Sequence, residues 1–296
     1  MIKTVLFDLD GTLLNSQSQI SPRTRQAIAD AVGRRVIVLP CTGRPLASLP
    51  PLVAQLPGIR YAITANGAAV WDMGTDPLGA VYSRYSDAAR RPTHEPVLLE
   101  RHCLPPETAR EVFALYREYH GPLSIFSDGR SYLDGTGMAL FQNRHIQRHS
   151  TEARQPDDGR THVVRDLDEW MSRHAHEVEK FCMFFDSIEI AQAALVRFRA
   201  FPVIEAVQGA PDNVEVTAAG VDKGTALLAL ADRLGIPREA TLAIGDSDND
   251  RAMLARAGVA AVMAKALPEI RALGDIVSTC DNDHDGVAEL FERLGL

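Results

Sequence analysis

The stretch that decides the fold stands near the start of the chain: Thr4-Val5-Leu6-Phe7-Asp8-Leu9-Asp10-Gly11-Thr12. Its apolar beginning predicts a buried strand, and alternation along the strand end places Asp8 and Asp10 on one side. In open α/β sheets the carboxyl edge of the strands is where ligands bind. Gly11 lets the backbone approach a ligand and can turn its N–H toward a phosphate oxygen. Taken alone, the motif is also explained by an exposed Asp-Gly turn.

Short apolar runs alternate with helical stretches on both sides of a long middle region. Ser21 followed by Pro22 predicts a capped helix that extends to about Gly33. The other predicted elements are strands from Val36 to Leu39, from Tyr61 to Thr64 and from Thr241 to Ile244, a helix capped by Asp222, and a helix through Met253 and Leu254. Strands that alternate with helices indicate a parallel α/β sheet.

The middle of the chain differs in character from its two flanks. It contains eight of the nine histidines and a strand-like apolar run from Phe181 to Phe185. We expect an inserted α+β domain, with the flanks forming one discontinuous core. The predicted division is a first part of the core at residues 1–86, a cap at residues 87–209, and a second part of the core at residues 210–296.

Length and composition indicate a globular protein. With 296 residues, 46% of them hydrophobic, the chain is expected to form two domains. A formal net charge of −8 argues against nucleic acid and anionic membranes as partners. The four cysteines are scattered, and no apolar run approaches the ~18–20 residues of a membrane span. We therefore expect a cytoplasmic location, and the sequence leaves the oligomeric state open.

Three further motifs follow predicted strands or open predicted helices. Thr42-Gly43-Arg44 offers a hydroxyl and a backbone N–H at the same sheet edge. Asp222-Lys223-Gly224 puts a lysine in a first helical turn, where the helix dipole disfavours a cation unless an anion faces it. The acidic run Gly245-Asp246-Ser247-Asp248-Asn249-Asp250 would repel itself unless it bound a hard cation such as Mg²⁺. Alone, the last two are also explained by a solvated lysine and an Asp-rich helix cap.

Together and in this order, the four motifs resemble those of the haloacid dehalogenase-like phosphohydrolase superfamily. The chain looks like its Cof-type phosphatase branch, with an inserted α+β cap of type C2B. Asn66-Gly67 and Asp285-Gly286-Val287 add to the resemblance. What the resemblance implies for the fold is a Rossmann-like parallel-sheet core, discontinuous in sequence, under a cap that sets substrate specificity.

The resemblance also implies an activity, that of a Mg²⁺-dependent phosphatase acting on a small phosphorylated metabolite such as a sugar phosphate. Asp8 would attack phosphorus to form an aspartyl-phosphate, and Asp10 would act as general acid and then as general base. The resemblance also implies three sets of binding residues. Mg²⁺ would be held by the Asp8 carboxylate, the Asp10 carbonyl and Asp246, with Asp250 in support. Phosphate would be bound by Gly11, Thr42, Gly43, Lys223 and Asn249, and Arg44 and Asn66 would lie near the substrate.

Two other functions stay open. Because phosphohexomutases share this cap type, a phosphotransferase of that kind is the first alternative. The second is a catalytically silent sensor of a phosphate ligand, since a fold does not dictate a function. Carbon–halogen cleavage is disfavoured, because dehalogenases of the superfamily lack an acid at the position of Asp10.

Three stretches depart from the family pattern or imitate another one. Lys265 stands where relatives carry an amide, and we expect it to face solvent although its role is open. Pro50-Pro51 is expected to interrupt the helix after Arg44. The run from Asp281 to Gly286 has the spacing of a calcium loop. Ile276-Val277 predicts a strand where such a loop needs a helix, so a capped terminal helix is favoured.

Overall fold

The computed structural model describes residues 1–85, 95–148 and 159–296, and of residues 144–148 only the backbone. The described strands are β1 (Thr4–Phe7), β2 (Ile37–Pro40), β3 (Tyr61–Thr64), β4 (Ala69–Asp72), β5 (Val97–Arg101), β6 (Leu123–Ser127), β7 (Arg130–Asp134), β8 (Thr161–Val164), β9 (Lys180–Phe184), β10 (Ile204–Val207), β11 (Asn213–Ala218), β12 (Thr241–Gly245), β13 (Val259–Val262) and β14 (Ile276–Val277). The described helices are α1 (Pro22–Gly33), α2 (Pro51–Ala54), α3 (Pro77–Tyr82), α4 (Pro106–Tyr116), α5 (Gly135–Arg148), α6 (Leu167–His174), α7 (Ile188–Arg199), α8 (Lys223–Arg233), α9 (Arg251–Arg256), α10 (Pro268–Arg271) and α11 (Gly286–Leu294).

A five-stranded parallel sheet, in the order β14-β13-β12-β1-β2, forms the centre of the core. β1 lies between β2 and β12, and Phe7 is in register with Pro40 on one side and with Ile244 on the other. Because the strands are parallel and in register, the loops that follow β1, β2 and β12 leave the sheet at one edge. The predicted α/β class with a parallel-sheet core is confirmed.

Local sequence explains the helices that flank this sheet. Ser21 caps α1 by accepting a hydrogen bond from the backbone N–H of Thr24, and the helix ends at Gly33 as predicted. Asp222 caps α8 in the same way through Thr225. All four side chains of β1 are buried, so apolar helix faces cover both sides of the sheet.

A second sheet of six strands has the order β10-β11-β9-β6-β7-β8. Its strands pair antiparallel except for β7 and β8, which are parallel. Helices α4, α6 and α7 cover it with a separate hydrophobic core, in which the Tyr116 ring lies between those of Phe181 and Phe198. This sheet and its helices are the predicted inserted α+β unit, which buries its own apolar surface.

Strand pairing in the structure supports boundaries of the insert other than those predicted. β11 pairs with β9, so residues 213–218 belong to the six-stranded sheet, although the sequence division placed them in the core. β5 pairs with β4 in a three-stranded sheet, although it was assigned to the cap. We propose that the insert runs from about residue 102 to residue 218. The predicted boundary between residues 86 and 87 lies outside the described residues.

Two other segments differ from expectation in detail. β3 lies where predicted but pairs antiparallel with β4, and a single parallel bridge between Cys41 and Ile63 connects it to the end of β2. After Arg44 the chain forms a 3₁₀ turn, and Pro51 opens the short helix α2. The prolines therefore replace one long helix by two short pieces.

The end of the chain is built as a strand and a helix. β14 precedes the acidic loop, and α11 begins at Gly286, so the favoured terminal helix is present. Asp285 takes a left-handed conformation and its side chain makes no cap hydrogen bond, so the expectation that a side chain caps this helix was wrong. Across the residues that the structure describes, no helix combines the length and the apolar character that crossing a membrane requires.

Candidate active site

Three loops meet at the carboxyl edge of the parallel sheet and bring the acidic motifs together. Asp8 follows β1, and its backbone N–H donates to the carbonyl of Ile244 on β12 at 2.9 Å. Asp246 and Asp250 follow β12, and Lys223 opens α8 beside them. These four side chains, predicted from three separate motifs, therefore form one cluster.

Lys223 lies at the centre of the cluster, completely buried. Its Nζ donates to Asp8 Oδ1 at 2.5 Å, to Asp250 Oδ1 at 2.7 Å and to Asn249 Oδ1 at 3.4 Å. Burial alone would lower the pKa of this amine, but Asp250 and Asp8 outweigh it and raise the pKa above the usual value. The lysine is therefore a permanent positive charge inside the site.

The carboxylates carry more charge than one lysine neutralises. Burial raises the pKa of Asp8 well above its usual value; Lys223 opposes the rise, while Asp250 and Asp246 add to it. Burial and the charge of Asp250 raise the pKa of Asp246 to about 7. One oxygen from each of Asp8, Asp246 and Asp250 lies within 4.8 Å of the other two. Crowded, buried oxygen ligands of this kind fit a hard divalent cation such as Mg²⁺.

The loop after β1 is fitted closely to Asp246. Thr12 Oγ1 donates to Asp246 Oδ1 at 2.7 Å. Gly11 has a φ of +87°, and a Cβ there would lie 2.5 Å from Asp246 Oδ2, so only glycine fits. Thr12 was quoted within the first motif but was not predicted as a site residue. Its position after the Asp-Gly pair, at the end of a buried strand, was the available signal.

Asp250 uses its two oxygens for different tasks. Oδ1 accepts from Lys223, whereas Oδ2 accepts from the backbone N–H groups of Asp246 and Ser247 at 2.9 and 3.0 Å. The carboxylate therefore shapes the loop that presents Asp246 and orients the lysine at the same time.

Asp10 pairs with Arg44 instead of Lys223. Its carboxylate forms two hydrogen bonds with Arg44, at 2.8 Å from Nε and 2.6 Å from Nη2. The Asp10 side chain is 54% exposed, against 7% for that of Asp8. Arg44 Nη1 also donates to the carbonyl of Ser48. The two motif aspartates thus lie in different environments, one buried against a lysine and one at the open side against an arginine.

The remaining predicted residues line the same edge. Thr42 is buried, and its Oγ1 accepts from the backbone N–H of Arg44 at 3.2 Å. Asn66 takes a left-handed conformation, and its N–H donates to the carbonyl of Thr42. Asn249 Nδ2 lies 3.4 Å from Asn66 Oδ1. Gly43 lies next to them, and Lys265, as expected, is exposed.

A buried ion pair from the six-stranded sheet reaches this edge and was not predicted. Lys180 Nζ lies 2.9 Å from Glu215 Oε2 and donates to the carbonyl of Gly43 at 2.6 Å. Asn66 Nδ2 donates to the same Glu215 oxygen at 2.6 Å. Both charged residues sit on otherwise apolar strands, in Lys180-Phe181-Cys182-Met183 and Val214-Glu215-Val216, and that interruption was the signal in the sequence.

Comparison with known proteins finds relatives that cover nearly the whole chain. The family model of the haloacid dehalogenase-like hydrolases matches residues 5–83 and 93–291. The chain is 27% identical to the 5-amino-6-(5-phospho-D-ribitylamino)uracil phosphatase YcsE of Bacillus subtilis, over 99% of this chain and 95% of that protein. It is 27% identical to the HMP-PP phosphatase of Serratia proteamaculans, over 92% and 88%. The solved structure of the HAD subclass IIB sugar phosphatase BT4131 superposes with a TM-score of 0.76 at 22% identity, over 99% of both chains.

Proposed function

Since this chain belongs to the haloacid dehalogenase-like hydrolases and is a phosphatase of their Cof-type branch, we propose that it hydrolyses a small phosphorylated metabolite through an aspartyl-phosphate on Asp8. The observation that carries the proposal is the buried contact between Lys223 and Asp8, which fixes one carboxylate oxygen next to a permanent cation. A carboxylate held in this way can attack phosphorus, and the cation can meet the phosphoryl oxygens.

Phosphoryl transfer spreads negative charge over the oxygens of the transferring group. Lys223 supplies one positive charge to these oxygens, and the Gly11 and Gly43 backbone with the Thr42 hydroxyl supplies neutral donors. Asn249 lies beside Lys223 and completes the polar lining. Because these groups are set in place by the fold, they need little reorganisation during the reaction.

Asp10 is suited to the proton transfers. In the first half-reaction it protonates the leaving oxygen, and in the second it takes a proton from the water that attacks the aspartyl-phosphate. Its exposed position beside Arg44 is consistent with a leaving group that enters and departs on that side. The different environments of Asp8 and Asp10 support their different roles.

The site fits Mg²⁺ on the evidence of its crowded carboxylates. Asp8 and Asp246 would hold the ion, with the Asp10 carbonyl as a further ligand and Asp250 in support. When bound, the ion neutralises carboxylate repulsion and lets a phosphate dianion enter. Thr12 holds Asp246 in place for that purpose.

The position of the insert and the relatives support the proposed substrate class. Lys180 and Glu215 of the six-stranded sheet contact Gly43 and Asn66. The insert therefore lies directly over the part of the site that is proposed to bind phosphate. YcsE and the HMP-PP phosphatase are both named for small phosphorylated metabolites. We propose the same class here, and no macromolecular phosphate.

The test is hydrolysis of p-nitrophenyl phosphate and of a panel of phosphorylated metabolites, with Mg²⁺ and with a chelator. Metal-dependent phosphate release is expected from the wild type, and none from Asp8→Asn above background. If the wild type shows no such turnover over the whole panel, the proposed function is wrong. Hexose 1-phosphate is the panel member that separates the alternatives, because a mutase returns hexose 6-phosphate while a phosphatase releases phosphate.

A further inference from the structure

The six-stranded sheet holds the loop between β2 and α2 at two points. Lys180 Nζ donates to the carbonyl of Gly43 at 2.6 Å, and the backbone N–H of Ala47 donates to the carbonyl of Gly129 at 2.9 Å. Gly129 lies in the turn between β6 and β7. Arg44, which holds the Asp10 carboxylate, lies between the two points. We call residues 42–48 the arginine loop.

Two adjacent residues, Glu179 and Lys180, stabilise the contacts at Gly43 and at Gly129. Lys180 makes the first contact itself. Glu179, completely buried, accepts at Oε1 from the backbone N–H of Asp128 at 2.8 Å and from Arg101 Nε at 2.8 Å, which fixes the β6–β7 turn. A displacement of β9 would therefore shift both contacts on the arginine loop together.

The contact at Gly43 is buried and tightly fitted. Lys180 and Glu215 are both buried. Burial would raise the pKa of Glu215, but the charge of Lys180 and the hydrogen bonds from Lys180 and Asn66 keep it below its usual value. A Cβ at Gly43 would lie 3.0 Å from Glu215 Oε2 and 3.2 Å from Lys180 Nζ. Lys180 contacts the Gly43 carbonyl and Glu215, and Glu215 also accepts from Asn66, so the pair links the insert to the core at this point.

We propose that Lys180 is a positioning residue that acts on Asp10 through Arg44. By holding the Gly43 carbonyl, it fixes the arginine loop in the position at which the Arg44 guanidinium meets the Asp10 carboxylate. Glu215 balances the charge of Lys180 and ties Asn66 to the same assembly. The proposal rests on the proposed function, because it assigns Asp10 the acid and base role given above.

The variant that tests the proposal is Lys180→Met combined with Glu215→Gln. Lys180→Met alone would leave the Glu215 carboxylate buried without its partner, which is strongly destabilising. The double replacement removes both charges and keeps the two side-chain volumes close to the originals. Phe181→Leu is the matched control, because Phe181 lies on the same strand but packs into the separate core of the insert.

The first measurement is hydrogen–deuterium exchange of the arginine loop, which needs no enzymatic activity. The double variant should exchange the amides of residues 42–48 at least about tenfold faster than the wild type, since an anchor of the loop is gone. Phe181→Leu should leave their exchange unchanged. Equal protection of the loop in the wild type and the double variant would overturn the proposal, whether or not the protein is a phosphatase.

The second measurement is a double-mutant cycle with Arg44→Ala, read as kcat and KM for p-nitrophenyl phosphate. In the wild-type background the double variant should lower kcat about 10- to 100-fold with KM changed less than about threefold, because misplacement of a reacting group acts on the chemical step. In the Arg44→Ala background, Lys180→Met combined with Glu215→Gln should lower kcat by less than about threefold. The same cost in both backgrounds would contradict action through Arg44. A wild type without turnover would instead contradict the proposed function.

Discussion

Lys223 Nζ and Asp8 Oδ1 lie 2.5 Å apart in the buried floor of the site, although 215 positions separate the two residues in sequence. The same amine lies 2.7 Å from Asp250 Oδ1. The lysine therefore joins the loop after β1 to the loop after β12, and the same atom is the one proposed to meet the phosphoryl oxygens.

Lys223→Met should lower both the stability and the activity of the protein. The two buried carboxylates would lose their cation, and breaking a buried ion pair from one side costs about 3–5 kcal/mol in the free energy of unfolding. Activity should fall to background. Urea denaturation and p-nitrophenyl phosphate hydrolysis measure the two effects, with the exposed Lys3→Met as control. A stable and active Lys223→Met protein would contradict the assigned role.

Asp10→Asn should separate the two half-reactions. p-Nitrophenolate is a good leaving group that needs little protonation, so Asp8 should still be phosphorylated, whereas the attacking water loses its base. Steady-state turnover should fall by about 10²- to 10⁴-fold. Rapid-mixing kinetics should show a burst of p-nitrophenolate close to one equivalent per site. Turnover at the wild-type rate would show that Asp10 moves no proton in the slow step.

Thr12→Val should weaken metal binding. Its hydroxyl orients Asp246 by a 2.7 Å hydrogen bond, and loss of such a supporting contact raises the metal concentration needed for half-maximal activity by about 10- to 100-fold. Thr4→Val is the matched control, because Thr4 is a buried threonine of the same segment whose Oγ1 has no hydrogen-bond partner among the residues that the structure describes. If both variants behave alike in a Mg²⁺ titration, the contact has no part in metal binding.

The stabilisation of the fold by Mg²⁺ should increase with pH. The pKa of Asp246 is about 7 in the folded, metal-free protein and near 3.8 in the unfolded chain, so the folded state binds more protons between these values. The contribution of protonated Asp246 to the free energy of unfolding is fully present below pH 4 and is lost as the pH rises through 7. Mg²⁺ compensates for this loss, because the ion takes the place of the proton.

Thermal unfolding with and without Mg²⁺ at pH 5, 6, 7 and 8 measures this effect. The increase in Tm on adding Mg²⁺ should be smallest at pH 5 and largest at pH 8. Asp246→Asn should show little increase at any pH. An increase in Tm that is independent of pH in the wild type would mean that Asp246 does not hold the ion.

Local sequence rules predicted the elements that carry the motifs. Ser21 and Asp222 cap their helices as expected, and β1 lies at its predicted residues. These features depend on neighbours within four residues, so a single sequence contains the information. The meeting of Asp8 with Asp246 and Lys223 followed from parallel strands, which place successive loops at one edge.

Contacts across long separations were not predictable in the same way. Lys180 reaches Gly43 over 137 positions, and Asn66 reaches Glu215 over 149. The local sequence around Lys180 or Asn66 does not indicate which distant residue each side chain contacts. The pairing of β11 with β9 was not predictable for the same reason, because it is fixed by tertiary contacts and not by composition.

The position of β1 in the middle of the core sheet has a consequence for synthesis on the ribosome. One neighbour of β1, β2, is made soon after it, but the other, β12, leaves the exit tunnel more than 230 residues later. Until then one edge of the first strand lacks its partner, while the inserted sheet and its helices are already available to fold. A nascent chain therefore holds Asp8, the proposed nucleophile, without Lys223 for most of its synthesis, and the proposed site is assembled only after β12 has been made.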